Sequence, residues 1–412
     1  MKLLLPFALV VTASWARGGD LDLGTNPHDL VVYRPKMPYW PFDRCDRGMT
    51  GDRYNDHFQV IYDVRRRTYF AFWTQASVES SSDQHIAFSK STDGGGSWSS
   101  VRILAGSENR RNPRLVASWQ QPMLTKSGRL YLLWNQQTSS LPAHWGEMFG
   151  IFSDDAGENW SAPQSVPWPS NALKPRNPGE PHNWCIWQRP LRLGPGGAFY
   201  AGVSHYGQVV DFISYGNMDE DPAVKDIRVA FHQTGDAILQ APPDASKRWV
   251  EEASIVKLPD GRLFAILRSW TGSPLWTQSR DEGRTWAPLR KLVDANGRPY
   301  RHCCSPCPMY DWKGCEAASG TYFAFIHNTF DENDRKNGAW QKRGPLYLIA
   351  GTFDPTGEQP VRFGTPKLFA PRKDRNSFYT SYTVDEQGRG ILWFPDMKYW
   401  LLGRRIGREW FE

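Results

Sequence analysis

The chain lacks several features that would define other protein classes. Beyond one apolar run from Leu3 to Val11 it holds no stretch long and apolar enough to cross a membrane as a helix, which excludes a polytopic helical membrane protein. Long helical periodicity is also missing, which excludes bundle and α/β architectures. Charge is not bunched: 49 Lys and Arg against 43 Asp and Glu leave a net charge of +6 that is spread along the chain, so no nucleic-acid footprint is present. A mild basic bias suits an acidic glycan equally with a plain solvated surface. Cysteine is scarce at six residues, and no paired-carboxylate motif of the two-acid glycosidases stands out. Glu251-Glu252 and Asp83 look isolated.

What is present is a repeated turn. Ser91-Thr92-Asp93-Gly94-Gly95-Gly96-Ser97-Trp98, Ser153-Asp154-Asp155-Ala156-Gly157-Glu158-Asn159-Trp160 and Ser279-Arg280-Asp281-Glu282-Gly283-Arg284-Thr285-Trp286 all read Ser-x-Asp-x-Gly-x-(Ser/Thr/Asn)-Trp, the Asp-box pattern. Each follows a short apolar strand, as a tight loop between strands requires. The Asp accepts backbone N–H groups, the Gly supplies a positive φ and the Trp buries its ring under the turn. Repetition of one such unit predicts an all-β fold, a single β-propeller. Six hairpins can be counted: Phe58 to Thr74, Gln121 to Asn135, Trp187 to Ser204, Ser254 to Arg268, Pro308 to His327 and Thr380 to Phe394. A seventh blade is expected from the N-terminal strand Leu30 to Tyr33 with less regular material. The 20 Trp divide between this core and sugar-stacking platforms, with the core favoured.

The opening Lys2, the apolar run and Ser14-Trp15-Ala16 predict a signal peptide over 1–16, a propeller over 17–412 and a secreted protein. Oxidising surroundings would favour disulfides among Cys303, Cys304, Cys307 and Cys315, with Cys45 and Cys185 as further partners; a structural zinc beside His302 is the alternative. No cofactor is required for the expected chemistry. A structural calcium or zinc is the only metal left open, and a monomer without membrane or nucleic-acid partner is expected.

An Asp box joins the third strand of a blade to the fourth, so the end of the second strand and the start of the third lie on the opposite face. That topology collects Trp73-Thr74-Gln75, Asp83-Gln84-His85, Asn135-Gln136-Gln137, His144, Ser204-His205-Tyr206, Arg268-Ser269-Trp270 and His327-Asn328 at one mouth. His85, in a loop with Asp83 and Gln84 able to fix its tautomer, is the candidate base. Arg268, Arg189 and Arg176 are candidates for gripping a substrate carboxylate through the planar guanidinium fork, with Gln75, Asn135, His144 and Trp270 as further substrate contacts. Taken singly, each has a structural reading: Gln75 and Asn135 as strand terminators bonding loop backbone, His205 and His327 as satisfied core histidines.

Asn55-Asp56-His57, Trp73-Thr74-Gln75, Asp83-Gln84-His85-Ile86-Ala87-Phe88-Ser89, Asn183-Trp184-Cys185-Ile186-Trp187-Gln188 and Tyr310-Asp311-Trp312-Lys313-Gly314-Cys315 resemble the seven-bladed L-rhamnose-α-1,4-D-glucuronate lyases, with ulvan lyases and an α-L-rhamnosidase family as relatives. The resemblance implies that His85 removes the C5 proton of glucuronate and returns a proton to the departing rhamnose, in an acidic glycan such as gum arabic or arabinogalactan. The family's second histidine has no match between Ile86 and Ala143, which leaves His144 or Arg114 to replace it. The hydrolytic relatives rely on a different histidine, making His57 the alternative catalyst. A sialidase is the other hydrolase reading; it needs Arg-Ile-Pro, which is absent, and a Tyr-Glu pair, echoed loosely by Tyr379 or Tyr382 with Glu251. A non-catalytic glycan-binding propeller is the third.

Overall fold

The computed structural model describes residues 30–37, 51–107, 116–138, 145–172, 179–205, 209–232, 238–241, 249–327, 343–371 and 379–412. The leader, Arg114, His144, Arg176, Cys45, Tyr206 and Asn328 lie outside them. Among the described residues no helix is long and apolar enough to cross a membrane.

Six antiparallel sheets follow one another along the chain. Blade one comprises Tyr54–Asp63, Thr68–Ala76, His85–Ser91 and Arg102–Gly106. Blade two comprises Ala117–Leu124, Leu130–Gln137, Gly146–Ser153 and Gln164–Ser165. In blade three the inner strand is broken into Trp184–Cys185 and Leu191–Arg192, both paired with Phe199–His205, followed by Val209–Tyr215 and Val229–Phe231. Blade four holds Val250–Lys257, Leu263–Ser269, Leu275–Ser279 and Arg290–Lys291, and blade five Met309–Asp311, Thr321–Ile326, Leu346–Phe353 and Val361–Phe363. Blade six takes Ser381–Val384, Gly390–Asp396 and Trp400–Ile406 from the C-terminal end and Leu30–Tyr33 from the N-terminal end. All six hairpins expected from the sequence are formed. The expected seventh blade is not, because Leu30–Tyr33 is used as the outer strand of the sixth, pairing Leu30 with Gly403 and Val31 with Leu402.

The inner strands are nearly all buried, and their polar side chains have a common purpose. Each pair of neighbouring blades is tied by a hydrogen bond near the axis. Thr74 Oγ1 donates to Gln120 Oε1 at 2.9 Å, Asn135 Nδ2 to the Trp184 carbonyl at 2.9 Å and the Ile255 amide to Gln188 Oε1 at 3.1 Å. The Met309 amide donates to Ser254 Oγ at 2.9 Å, the Tyr310 hydroxyl to the Thr380 carbonyl at 2.8 Å, and the Val60 amide to Ser381 Oγ at 2.9 Å. This last bond joins blade six to blade one and completes the circuit. Inner strands have no partner strand on their axial edge, so these side chains satisfy backbone groups that a flat sheet would leave open.

The Asp boxes form as the pattern predicts. In the first, Asp93 Oδ1 accepts from the Ser97 amide at 2.9 Å and from Ser91 Oγ at 2.8 Å, and Asp155 and Asp281 repeat both contacts. The ring of each box packs on the blade before it: Trp160 edge-on to Phe88, Trp286 stacked on Phe212 at 4.0 Å, and Trp98 edge-on to Trp393 of blade six. Gly157 is fixed twice over, by φ of 80° and by the Phe88 ring, which would lie 2.7 Å from a Cβ placed there. The largest buried rings, Trp73, Trp134, Trp184, Trp187 and Trp393, are core.

The disulfide expectation is corrected. Cys185, Cys303, Cys304, Cys307 and Cys315 are all free and buried. Cys307 and Cys315 spend their thiols on the carbonyls of Phe325 and Tyr382, each at 3.2 Å, and so act as small core residues. No group of three or more His, Cys, Asp or Glu side chains among the described residues is placed to hold a metal ion.

Candidate active site

The face opposite the Asp boxes is built from the starts of the inner strands. Three of these carry a β-bulge at the same level, between Asp56 and Gln59, between Ser118 and Gln121, and between Glu251 and Ser254. At each bulge one non-glycine residue takes a left-handed conformation: His57 at φ 52°, Trp119 at φ 52° and Glu252 at φ 53°. A bulge re-aims a side chain that strict alternation would send into the sheet, and strain of this kind, about 1–3 kcal/mol per residue, concentrates at functional sites. His57 and Trp119 meet with ring centroids 5.5 Å apart.

Tyr379, just before the inner strand of blade six, completes the cluster. Its hydroxyl donates to Glu252 Oε1 at 2.6 Å, and its ring stands edge-on to His57 at 4.5 Å. Arg268 Nη1 donates to Glu252 Oε2 at 2.8 Å and lies 3.6 Å from Glu251 Oε2, while its Nε reaches Cys304 Sγ at 3.3 Å. Ser204 Oγ accepts from the Glu252 amide at 2.7 Å. Lys398 Nζ, paired with Asp56 and Glu79 at 2.9 Å each, sits 5.6 Å above the Tyr379 ring. Arg343 faces Glu251, Glu252 and Tyr379, and its buried Nη1 has no hydrogen-bond partner.

These charges set distinct protonation states. Burial opposes ionisation of Glu252, but Arg268, the Tyr379 hydroxyl and Arg343 outweigh it and hold the carboxyl below its ordinary value. Burial pushes Glu251 up to about 7 against the pull of Arg268, with the Glu252 charge adding to the rise. Two adjacent carboxyls thus differ, one ionised and one carrying a proton close to neutrality, which is the arrangement acid–base chemistry needs. Burial also raises the Tyr379 phenol well above its usual range, helped by Glu252, and lowers His57, with Lys398 assisting and Asp56 opposing.

The residues expected from the sequence fall into separate places. His85 and Gln75 come together, with Nε2 and Oε1 3.2 Å apart. Trp73 Nε1 donates to Asn55 Oδ1 at 3.0 Å and so does Gln75 Nε2 at 2.8 Å, which turns the Gln75 oxygen toward His85. The other His85 nitrogen, Nδ1, faces the Asp83 carbonyl at 2.8 Å. Both ring nitrogens face acceptor oxygens of the protein, of which the neutral ring bonds one through its single N–H, and the residue is 2% exposed. Arg268 joins the cluster around Tyr379. Arg189 does not: its Nη1 lies 3.9 Å from Glu316, in the turn between the first two strands of blade five, on the Asp-box side. Asn135 bonds the Trp184 carbonyl, and Trp270 lies against Trp249 at 5.7 Å. His205 and His327 are buried; burial lowers the first to about 4 and the second well below its ordinary value. Arg343 and Lys398 were not singled out by the sequence; Tyr379 was offered there only as a loose echo of a Tyr-Glu pair, with Glu251 as its partner, whereas its hydroxyl meets Glu252. One signal pointed at Glu252: two adjacent carboxylates inside the apolar strand Val250–Lys257, a costly placement unless the charges are used.

Comparison with known proteins agrees with this architecture. Residues 67–390 match the BNR repeat-like domain. The chain belongs to that family. No curated protein matches it. Among solved structures it is similar to the NanB sialidase from Streptococcus pneumoniae, at 11% identity and a TM-score of 0.59 over 90% of this chain and 71% of that one. It is similar also to the intramolecular trans-sialidase from Ruminococcus gnavus in complex with oseltamivir carboxylate, at 12% identity and a TM-score of 0.60 over 86% of this chain and 95% of that one. A protein of unknown function from Dyadobacter fermentans is comparable, at 13% identity and a TM-score of 0.60 over 91% and 96%. At such identities the likeness establishes a shared sialidase-like propeller fold.

Proposed function

We propose that this BNR-repeat propeller is an extracellular glycan hydrolase that cleaves a glycosidic bond to an anionic sugar through a tyrosine nucleophile. The observation that carries the reading is the Tyr379 hydroxyl 2.6 Å from Glu252, whose other oxygen is held by Arg268 at 2.8 Å. Nucleophile, base and orienting group stand in line, as an activated hydroxyl requires. In the first step the phenolic oxygen attacks the anomeric carbon, its proton passes to Glu252, and the bond to the leaving oxygen breaks as that oxygen takes a proton from solvent. A water then attacks the anomeric carbon and releases the sugar from Tyr379, its own surplus proton going back to solvent, and the proton on Glu252 returns to the phenolic oxygen. A phenol is a suitable nucleophile toward an anionic sugar, since a bare carboxylate would be repelled. Arg343, with a buried and unbonded Nη1, and Arg268, whose Nη2 makes no hydrogen bond to a described residue, are the groups suited to hold the sugar's acid.

Elimination from a rhamnosyl-glucuronate cap is the second reading, favoured by His57, which burial holds toward its neutral form against the Tyr379 ring. His85, the base expected for that chemistry, is buried against the Asp83 carbonyl and the Gln75 oxygen and does not join the cluster around Tyr379, so His57 is the histidine placed to act there. One experiment separates the two. Sialylated glycans and gum arabic are incubated with the enzyme while released sugar and the ultraviolet absorbance of an unsaturated uronate are followed together. Hydrolysis gives sugar without absorbance, and a fluorinated activated glycoside then labels the peptide bearing Tyr379. Absorbance rising with rhamnose would establish elimination instead, and neither signal on any acidic glycan would sink both.

A further inference from the structure

Glu252 and Glu251 contact the same guanidinium, but not equally. Glu252 has both oxygens engaged, one by Tyr379 and one by Arg268. Glu251 stands directly across the strand pair from Arg268 at a looser 3.6 Å, and its buried Oε1 meets no partner at good hydrogen-bond geometry, the Trp249 side chain being the polar neighbour it faces. Such a carboxylate contributes little to holding Arg268, yet its charge occupies the space beside the guanidinium that is hydrogen-bonded to Glu252. A buried carboxylate held this loosely is costly to keep, so its retention calls for a use.

We propose that Glu251 is a specificity residue that acts as an internal stand-in for the substrate's acid group: it neutralises Arg268 in the empty site and gives that role up, by taking a proton, when an anionic sugar arrives. The proposal rests on the anionic-glycan reading above and deepens it. The groups facing Glu251 are Arg268 from the neighbouring strand, Glu252 beside it, Arg343 from blade five, Cys304 from the segment before blade five and Cys185 from blade three. Both cysteines are buried thiols whose proton affinity burial raises, so neither competes for the role. An anion entering next to Glu251 repels its charge and raises its proton affinity further. With the carboxyl already raised to about 7 in the empty site, the uptake is driven at mildly alkaline pH and is complete beforehand at mildly acidic pH. A neutral sugar carries no charge to exchange and takes up nothing.

The test is isothermal titration calorimetry on the intact protein with two probes, N-acetylneuraminate and methyl glucuronide, in pairs of buffers that differ in ionisation enthalpy. At about pH 8 the wild type is expected to take up close to one proton per sugar bound, and at about pH 6 close to none. Affinity for the probe should fall by up to about tenfold per pH unit above neutrality. Glu251→Gln should abolish the uptake and flatten the affinity profile, and Glu251→Asp, which keeps the carboxyl, should retain a measurable uptake. Methyl rhamnoside serves as the uncharged control. Binding of either acid with the same uptake in wild type and Glu251→Gln, or with no uptake in either, would overturn the proposal while leaving the anionic reading intact. If neither acid binds at either pH, the anionic reading fails and this inference with it.

Discussion

The two faces of the propeller use acidic side chains in opposite ways. On the Asp-box face the aspartate that names each box is satisfied within its own turn: Asp93 bonds Ser91 and Ser97, and Asp155 and Asp281 do the same with their neighbours two and four residues away. At the opposite mouth the acids are satisfied by residues far along the chain. Tyr379 reaches Glu252 across 127 positions, and Lys398 pairs with Asp56 from the other end of the protein. Local satisfaction makes the first face rigid and chemically inert. The second face is assembled only when the ring of blades closes, and it keeps charges in unequal protonation states, which is the condition for chemistry.

The sharpest way to break this comparison is at Tyr379. Tyr379→Phe removes one hydroxyl from the mouth and should lower kcat by about 10³-fold or more with a melting temperature shifted by only a few degrees. Equal activity in the variant would rule out Tyr379 as the nucleophile. His57→Gln, which alters a group touching the Tyr379 ring, should lower kcat by about 10²-fold. His85→Gln should act in the reverse sense, costing about 1–2 kcal/mol in denaturant titrations while changing kcat by less than about threefold, because its two nitrogens brace blade one. A larger catalytic loss at His85 than at His57 would reinstate His85 as the base.

On the other face, Gly157→Ala adds a methyl against Phe88 at a left-handed position and should destabilise by about 2–3 kcal/mol with kcat unchanged. A further effect concerns Glu251 and the pH dependence of stability. A carboxyl whose folded-state value is raised binds its proton more tightly when folded, so it stabilises below its unfolded value, and that contribution is lost as pH rises toward about 7. Wild-type stability should therefore decline by on the order of 2 kcal/mol between about pH 4.5 and 7 relative to Glu251→Gln, read by parallel urea titrations across that range. Parallel curves for the two proteins would mean that Glu251 is an ordinary ionised carboxylate.

Much of the fold was legible beforehand. The Asp boxes announced a propeller because their bonds span four residues, and the six hairpins could be counted because strand alternation and Gly turns are local signals. The choice of face followed from strand direction alone, and it gathered Arg268, Gln75 and His85 correctly at the mouth. The blade number was not legible, since the pairing of Leu30 with Gly403 leaves no trace in either segment. Nor was the sorting of arginines, because Arg189 and Arg268 both follow strand-like runs and differ only in which neighbour each meets.

What the sequence determined by itself, then, is an all-β propeller of Asp-box type and which strand ends lie on the face opposite the boxes. Tertiary structure alone decided that Glu252 rather than Glu251 meets Tyr379, that His57 rather than His85 borders the Tyr379 ring, and that the described cysteines stay unbridged as buried thiols. The reason is geometric. A bulge that turns Glu252 through a left-handed φ shifts the side-chain alternation of one strand, and its position is set by register against a neighbouring strand and by closure of the whole ring, neither of which any local window of sequence contains.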